Sequence, residues 1–160
     1  MTVIEATKRN TVNTMEMFLR NFSHIPDDKL TWTPAPTAKS PLRIAAHTAL
    51  YAARFAKMIR DQKLPIPENL EQWLEERNKE EQAITTREEI ELIFRAGTEQ
   101  VLAALDSLTP EDLDSVLDSG QGWTMSMQHL ITLPALHATL HTGQIDFLQT
   151  CWNDQQVYVG

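Results

Sequence analysis

Apolar residues recur every three or four positions along four long stretches of the chain, which is the spacing of one face of an α-helix. The first stretch covers residues 3–23, the second begins at Ser40 and ends near Gln62, the third covers residues 86–108, and the fourth covers residues 124–152. No segment alternates apolar and polar residues between turn signals, and no Asn-Gly or Asp-Gly hairpin signal occurs. The pattern therefore predicts an all-α four-helix bundle.

Capping residues, glycine and proline add detail to the third and fourth helices. Thr86 followed by Glu89 forms a capping box, which predicts the start of the third helix. Gly97 lies inside that helix, where glycine is unfavourable, so we expect it to mark a close contact between two helices. Thr124 is the expected cap of the fourth helix. Pro134 then falls inside the fourth helix and predicts a kink there.

The connection between the second and third predicted helices is long. Its prolines at positions 65 and 67 are followed by the acidic and polar segment 68–81. We interpret this segment as a short surface helix whose acids form a solvent-exposed face rather than a cation site. The predicted fold is thus a four-helix bundle with a long connection between helices 2 and 3.

Composition and charge mainly exclude classes of protein and of partner. With 42% hydrophobic and 22% charged residues, the 160-residue chain resembles an ordinary globular domain rather than a disordered protein, and we expect a single domain over residues 1–160. The single cysteine, Cys151, excludes an internal disulfide. The formal net charge of −8 repels phosphate backbones, so no nucleic-acid partner is expected.

The sequence contains no recognisable targeting signal. Its first residues are polar, without the apolar segment of a signal peptide, and no apolar run approaches the roughly 18 residues of a membrane span. We therefore expect no membrane partner and a cytoplasmic location.

Three of the five histidines are placed as metal ligands would be. His137 and His141 are one helical turn apart, on a stripe expected to face the bundle interior, and His47 lies on the inward stripe of the second helix. Three imidazoles suit zinc, nickel, iron or copper and leave a coordination position open. The alternative is that hydrogen bonds satisfy them in a polar core layer. We expect His24 and His129 to lie outside the site.

The surroundings of these histidines limit the chemistry. No Glu follows His137 in the sequence His-Ala-Thr-Leu-His, so the general base of zinc proteases is missing, and no other inward acid is evident. Two weaker candidates for a catalytic role lie one turn from a histidine. Tyr51 could donate to an oxyanion, and Gln144 could orient a ligand or the substrate. Gln144 is equally explained as a packing residue, and a Tyr at such spacing is more often a core residue whose hydroxyl is satisfied.

Three motifs together resemble the DinB-like (DinB/YfiT) superfamily of metalloenzymes. They are Leu-Thr-Trp-Thr-Pro at residues 30–34, Ser-Pro-Leu-Arg-Ile-Ala-Ala-His at residues 40–47, and His-x-x-x-His at residues 137–141, which continues as Thr-Gly-Gln-Ile. The resemblance implies a four-helix bundle, a divalent metal on His47, His137 and His141, and a homodimer. It also implies enzymes that use low-molecular-weight thiols such as mycothiol, bacillithiol or glutathione. A proline one turn before the histidine pair departs from the expected pattern.

Three functions remain open at this point. The first is a metal-dependent transferase that moves a small electrophile onto a thiol, with a divalent zinc, nickel or iron ion and a small-molecule substrate; it needs no protein base. The second is a hydrolase in which the metal activates water. The third is a non-catalytic, dimeric stress-response helical protein.

Overall fold

The computed structural model describes residues 1–158 and is mostly helical. A short 3-10 turn at Asp27–Lys29 follows the first helix. Within the described residues, no helix is both long and apolar enough to cross a membrane. The elements are, in chain order, α1 (Val3–Ser23), α2 (Pro41–Asp61), α3 (Leu70–Ala83), α4 (Arg87–Asp106), α5 (Pro110–Leu113), β1 (Val116–Asp118), β2 (Thr124–Ser126), α6 (Met127–Leu130) and α7 (Leu133–Cys151).

The four long helices pack in pairs: α2 contacts α4 and α7, and α1 contacts α7 and α4. Their inward faces form two groups of buried side chains. One group contains Phe18 and Phe94, whose rings meet edge to face, and the other contains Ile59 and Leu105. Removing each such side chain from water contributes about 1.5–3 kcal/mol, which is the main force that holds the helices together.

Local signals set the helix starts that the sequence predicts. The Ser40 hydroxyl accepts a hydrogen bond from the Arg43 amide at the start of α2, and Thr86 and Glu89 form the predicted capping box of α4. At its other end, α2 stops at Asp61 because Gln62 adopts a left-handed conformation with φ of 50°. These ends depend on neighbouring residues only, so the sequence prediction of them is confirmed.

The long connection between α2 and α4 contains α3, a helix of 14 residues that contacts α2. Most of its side chains are exposed, as predicted for an acidic surface helix. Glu81 is different, because only 4% of it is exposed to solvent. The interpretation of the acids as a solvent-exposed face is therefore wrong at Glu81, where α3 turns toward α2.

A two-stranded hairpin replaces the predicted start of the fourth helix, so the fold is not purely helical. Strands β1 and β2 are antiparallel and pair Val116 with Ser126 and Leu117 with Met125. The turn between them contains Gly120 and Gly122, whose positive φ values of 70° and 85° are accessible to glycine without strain. Thr124 lies in β2 and caps no helix.

Pro134 begins a helix instead of kinking one. The helical hydrogen-bond pattern is interrupted at Ile131 and Thr132, although both residues keep right-handed backbone angles, and α7 starts at Leu133 with Pro134 in its first turn. A proline is favourable there, because the first amides of a helix need no partner within it. The predicted kink within the fourth helix is thus wrong, and α7 runs regularly past both of its histidines.

Gly97 lies where α4 and α2 approach most closely, which confirms its predicted role. A Cβ atom built at Gly97 would lie 2.8 Å from the Ala52 Cβ and 3.0 Å from the Ala53 amide nitrogen. Neither neighbour is a flexible side chain that can move away, so only glycine fits at this crossing.

Gly97→Ala should lower the free energy of unfolding by about 1–3 kcal/mol, because overpacking at the crossing exceeds the gain in helix propensity. The matched control is Gly143→Ala in α7, where an added Cβ meets nothing within 4 Å. That change should stabilise the protein by about 0.5–1 kcal/mol. Urea denaturation of both variants measures the two effects, and equal effects would contradict the close contact.

Candidate metal centre

The packing of α2 against α7 brings His47, His137 and His141 together. The Nε2 atom of His137 lies 3.2 Å from that of His47 and 3.1 Å from that of His141. One ligand atom from each ring lies within 4.8 Å of the other two. All three side chains are half-buried, at the edge of the interface between the two helices.

The outer nitrogens of two rings are held by oxygen acceptors. His47 Nδ1 lies 2.6 Å from Glu81 Oε1, and His141 Nδ1 lies 2.6 Å from Gln144 Oε1. Since a carboxylate or amide oxygen only accepts, each Nδ1 carries the proton and donates it. The Nε2 atoms of His47 and His141 therefore present lone pairs to the shared centre.

The arrangement of the three Nε2 atoms suits coordination of a metal ion better than hydrogen bonding among the rings. A proton on His137 Nε2 could satisfy only one of the two facing lone pairs, so hydrogen bonding alone leaves the cluster incomplete. Tetrahedral coordination with bonds of about 2.0–2.1 Å would place ligand nitrogens about 3.3 Å apart. The observed separations of 3.1 and 3.2 Å are close to that spacing.

Burial keeps His137 neutral. Burial is the largest of the effects that together lower the pKa of His137 to about 3; the neighbouring His141 and His47 and the guanidinium of Arg54 act in the same direction. Burial likewise lowers the pKa of His141. Neutral imidazoles are the form that binds a metal ion, so these ligands need not lose a proton first at neutral pH.

Glu81 is the residue of the candidate centre that the sequence analysis missed. Its carboxylate accepts hydrogen bonds from His47 Nδ1 at 2.6 Å and from Lys39 Nζ at 2.5 Å. Burial by itself would raise the pKa of Glu81, but these two hydrogen bonds outweigh it and the pKa lies below its ordinary value. The expectation that no acid lies beside the histidines is thus wrong. The only sequence signal was an acidic segment, in which nothing distinguishes Glu81 from its neighbours.

Tyr51 and Gln144 both touch the histidines. The Tyr51 ring packs against the rings of His47 and His137, with centroid distances of 4.4 and 4.9 Å. Gln144 accepts the hydrogen bond from His141 described above. Each thus helps to fix the orientation of a histidine ring.

The other two histidines lie elsewhere. His24 stacks on the ring of Tyr158 at 4.0 Å, and His129 is exposed near the hairpin. Neither belongs to the cluster formed by His47, His137 and His141.

A cleft of about 610 Å³ opens directly onto two of the three histidines. Its walls are mainly apolar, and Lys39 and Gln144 supply polar groups at its edge. We name it the triad cleft; its lining residues are Pro34, Ala38, Lys39, Ile44, His47, Leu140, His141, Gly143, Gln144, Phe147 and Leu148. A small molecule in this cleft could therefore reach the centre between the histidines.

Comparison with known proteins agrees with the fold and with the family that the motifs predict. The DinB superfamily matches this sequence over residues 11–145, and the chain therefore belongs to that superfamily, as its motifs predicted. No curated protein matches the sequence.

Two solved structures have a similar fold. A DinB-like protein of Bacillus subtilis, YjoA, has a TM-score of 0.67 and 18% identity, and the alignment covers 96% of each chain. A conserved protein of Enterococcus faecalis has a TM-score of 0.70 and 20% identity, with 92% of this chain and 95% of that chain covered. At these identities the likeness concerns the fold alone.

Lowering the pH should reduce the free energy of unfolding of the metal-free protein, over the pH range between the unfolded and folded pKa values of His137. The pKa of about 3 in the folded state lies below the ordinary value of 6.5, so the unfolded chain takes up a proton that the folded chain refuses. Stability present above pH 6.5 is therefore lost as the pH falls toward 3. Between pH 7 and 5 we expect His137 to account for about 2 kcal/mol of lost unfolding free energy.

Urea denaturation in chelator at several pH values measures this loss. His137→Asn should flatten the dependence between pH 7 and 5, above the range where carboxylates titrate. His129→Asn, at an exposed position, should leave it unchanged. An equally steep dependence in the His137 variant would contradict the assignment.

Proposed function

We propose that the protein is a metal-dependent enzyme whose divalent ion, zinc, nickel or iron, is held by His47, His137 and His141. The convergence of the three Nε2 atoms carries this proposal. The pairwise packing of α1, α2, α4 and α7 supports a four-helix bundle as the scaffold, with two ligands from one helix and one from its neighbour. The triad cleft gives a small-molecule substrate access to the site.

Residues around the ligands prepare the site for a metal ion. Glu81 holds the proton on His47 Nδ1 and Gln144 holds the proton on His141 Nδ1, which directs both Nε2 lone pairs inward. Lys39 balances the charge of Glu81. When bound, the ion supplies positive charge that lowers the pKa of a thiol or polarises an oxygen.

The reaction we propose is the transfer of a small electrophile onto a low-molecular-weight thiol. Among the residues that the structure describes, no Asp or Glu lines the triad cleft, and Glu81 is occupied by His47 and Lys39. A site without a free general base favours a nucleophile that is already an anion. The thiol proton passes to solvent, the sulfur forms a bond to the electrophilic carbon, and the leaving group departs with its electron pair.

The test combines metal analysis with thiol conjugation. Protein purified without added metal should contain about one divalent ion per chain. With the model electrophile 1-chloro-2,4-dinitrobenzene, it should accelerate conjugation to glutathione, bacillithiol or mycothiol, and chelation should abolish the effect. Metal-dependent ester hydrolysis without thiol conjugation would favour the hydrolase instead. Absence of bound metal and of both activities would favour the non-catalytic helical protein.

The three histidines should matter more for metal binding than for folding. His137→Ala should lose the metal and any activity yet remain helical by circular dichroism, because the apolar core is formed by other side chains. His129→Ala is the matched control and should retain its metal. If chelated wild-type protein is unfolded at room temperature, the metal is structural and the catalytic proposal loses its support.

Glu81→Gln should weaken metal binding by about 10- to 100-fold, as expected when the carboxylate behind a histidine ligand is neutralised. Glu75→Gln, on the exposed part of α3, is the control and should leave the affinity unchanged. Competition with a fluorescent chelator measures both. Equal affinities in the two variants would show that the contact between Glu81 and His47 does not assist metal binding.

The homodimer implied by family resemblance remains a prediction. The same holds for the cytoplasmic location and for the absence of nucleic-acid and membrane partners. Sedimentation velocity of the purified protein would test the dimer directly.

A further inference from the structure

A second cleft, of about 590 Å³, lies beside Tyr51 and contains none of the three histidines among its described lining residues. It is formed by the second half of α2, the proline-containing segment after it, the start of α3, and the hairpin. We name it the Trp73 cleft; its lining residues are Tyr51, Arg54, Lys57, Met58, Asp61, Lys63, Leu64, Pro65, Ile66, Pro67, Leu70, Trp73, Arg77, Gln121 and Trp123.

The walls of the Trp73 cleft combine flat apolar surfaces with positive charge. Trp73 and Trp123 both line it, and Trp123 is 47% exposed even though it is a large apolar side chain. Four basic residues and one acidic residue, Asp61, belong to the same lining. In a chain with a net charge of −8, such an excess of cations in one cleft is a local reversal of the overall charge.

Two of these cations are already fixed in place. The Arg54 guanidinium lies 4.6 Å above the Tyr51 ring, and that of Arg77 lies 5.2 Å from the Trp73 ring centre. Both guanidinium groups also form ion pairs with Glu80. Both arginines line the cleft together with the rings of Tyr51 and Trp73. Planar guanidinium groups held against aromatic rings suit the recognition of a carboxylate next to an apolar body.

The hydrogen-bonding capacity of these cations is not exhausted within the protein. Arg54 Nη1 and Arg77 Nε are buried and have no hydrogen-bond partner among residues 1–158. Lys63 is exposed at the cleft and forms no ion pair within the described residues. Lys57 pairs with Asp61 at 2.5 Å, as Arg54 and Arg77 pair with Glu80, so Lys63 is the cleft cation without an acidic partner among the described residues. An anionic oxygen entering the cleft would therefore meet the exposed ammonium group of Lys63, with the positive charge of Arg77 beside it.

We propose that the Trp73 cleft binds a small organic anion with a flat apolar body and one carboxylate or sulfonate group. The apolar body lies against Trp73 and Trp123, and the acid group lies near Arg77 and Lys63. A volume of about 590 Å³ suits a small molecule rather than a macromolecule. The site is independent of the proposed metal function, although Tyr51, which also packs on two histidine rings, makes the cleft a neighbour of the metal centre.

The probe is 2-naphthoate, titrated calorimetrically into wild-type protein with and without chelator, and 2-naphthylmethanol is its neutral analogue. We expect saturable binding of the anion, unchanged by chelator, and about tenfold weaker binding of the neutral analogue. Lys63→Gln and Arg77→Gln should weaken naphthoate binding by about three- to tenfold, and Trp123→Ala should weaken it similarly. These three positions lie in the cleft, and Lys63 and Trp123 are exposed, so their replacement should not disturb the core.

Two matched variants define the outcomes. Lys79→Gln removes the same charge from α3 outside the Trp73 cleft, and Phe147→Ala changes the triad cleft only. Both should bind naphthoate as wild type does. The proposal is overturned if naphthoate shows no saturable binding, or if it binds no better than the neutral analogue. It is also overturned if the Trp123 variant binds as wild type does, while the Phe147 variant or chelated protein loses binding. The last result would assign the anion to the metal centre and leave the proposed enzyme function intact.

Discussion

The close approach of α2 to its neighbours is the constraint on which both the core and the candidate metal centre depend. Its inward face is built largely of alanine, and Gly97 of α4 fits directly against Ala52. Small side chains let the helix axes come close, so α2 can contact α4, α7 and α3 together. His47, on the same helix, is thereby brought within 3.2 Å of His137 on α7.

The chemistry of the centre is decided by what lies behind the histidines. Glu81 and Gln144 each accept a hydrogen bond from an outer ring nitrogen, and burial keeps His137 neutral. Three neutral rings with inward lone pairs have no adequate hydrogen-bond solution among themselves, but they match the needs of a divalent ion. In the same arrangement the carboxylate of Glu81 is already bound by His47 and Lys39, and this supports our proposal of a thiol nucleophile, which needs no protein base.

Two clefts of different character lie near the centre, and Tyr51 of the Trp73 cleft contacts the histidines. The triad cleft is apolar and opens onto His47 and His141. The Trp73 cleft carries a concentration of cations against tryptophan rings. Since the Tyr51 ring packs on His47 and His137, an occupant of the second cleft would contact a residue that also supports the first.

The sequence by itself determined whatever depends on near neighbours: the helix faces, the caps at Ser40 and Thr86, and the i,i+4 pair on α7. The family followed from motifs, and His47 from its place on an inward stripe. Only the tertiary structure decided that Glu81 is buried behind His47, because 34 residues separate them and its acidic neighbours look alike. It also decided the hairpin before α7. Proline suits a helix start and a kink equally in sequence terms, and the break between α6 and α7 shows that Pro134 stands at a helix start.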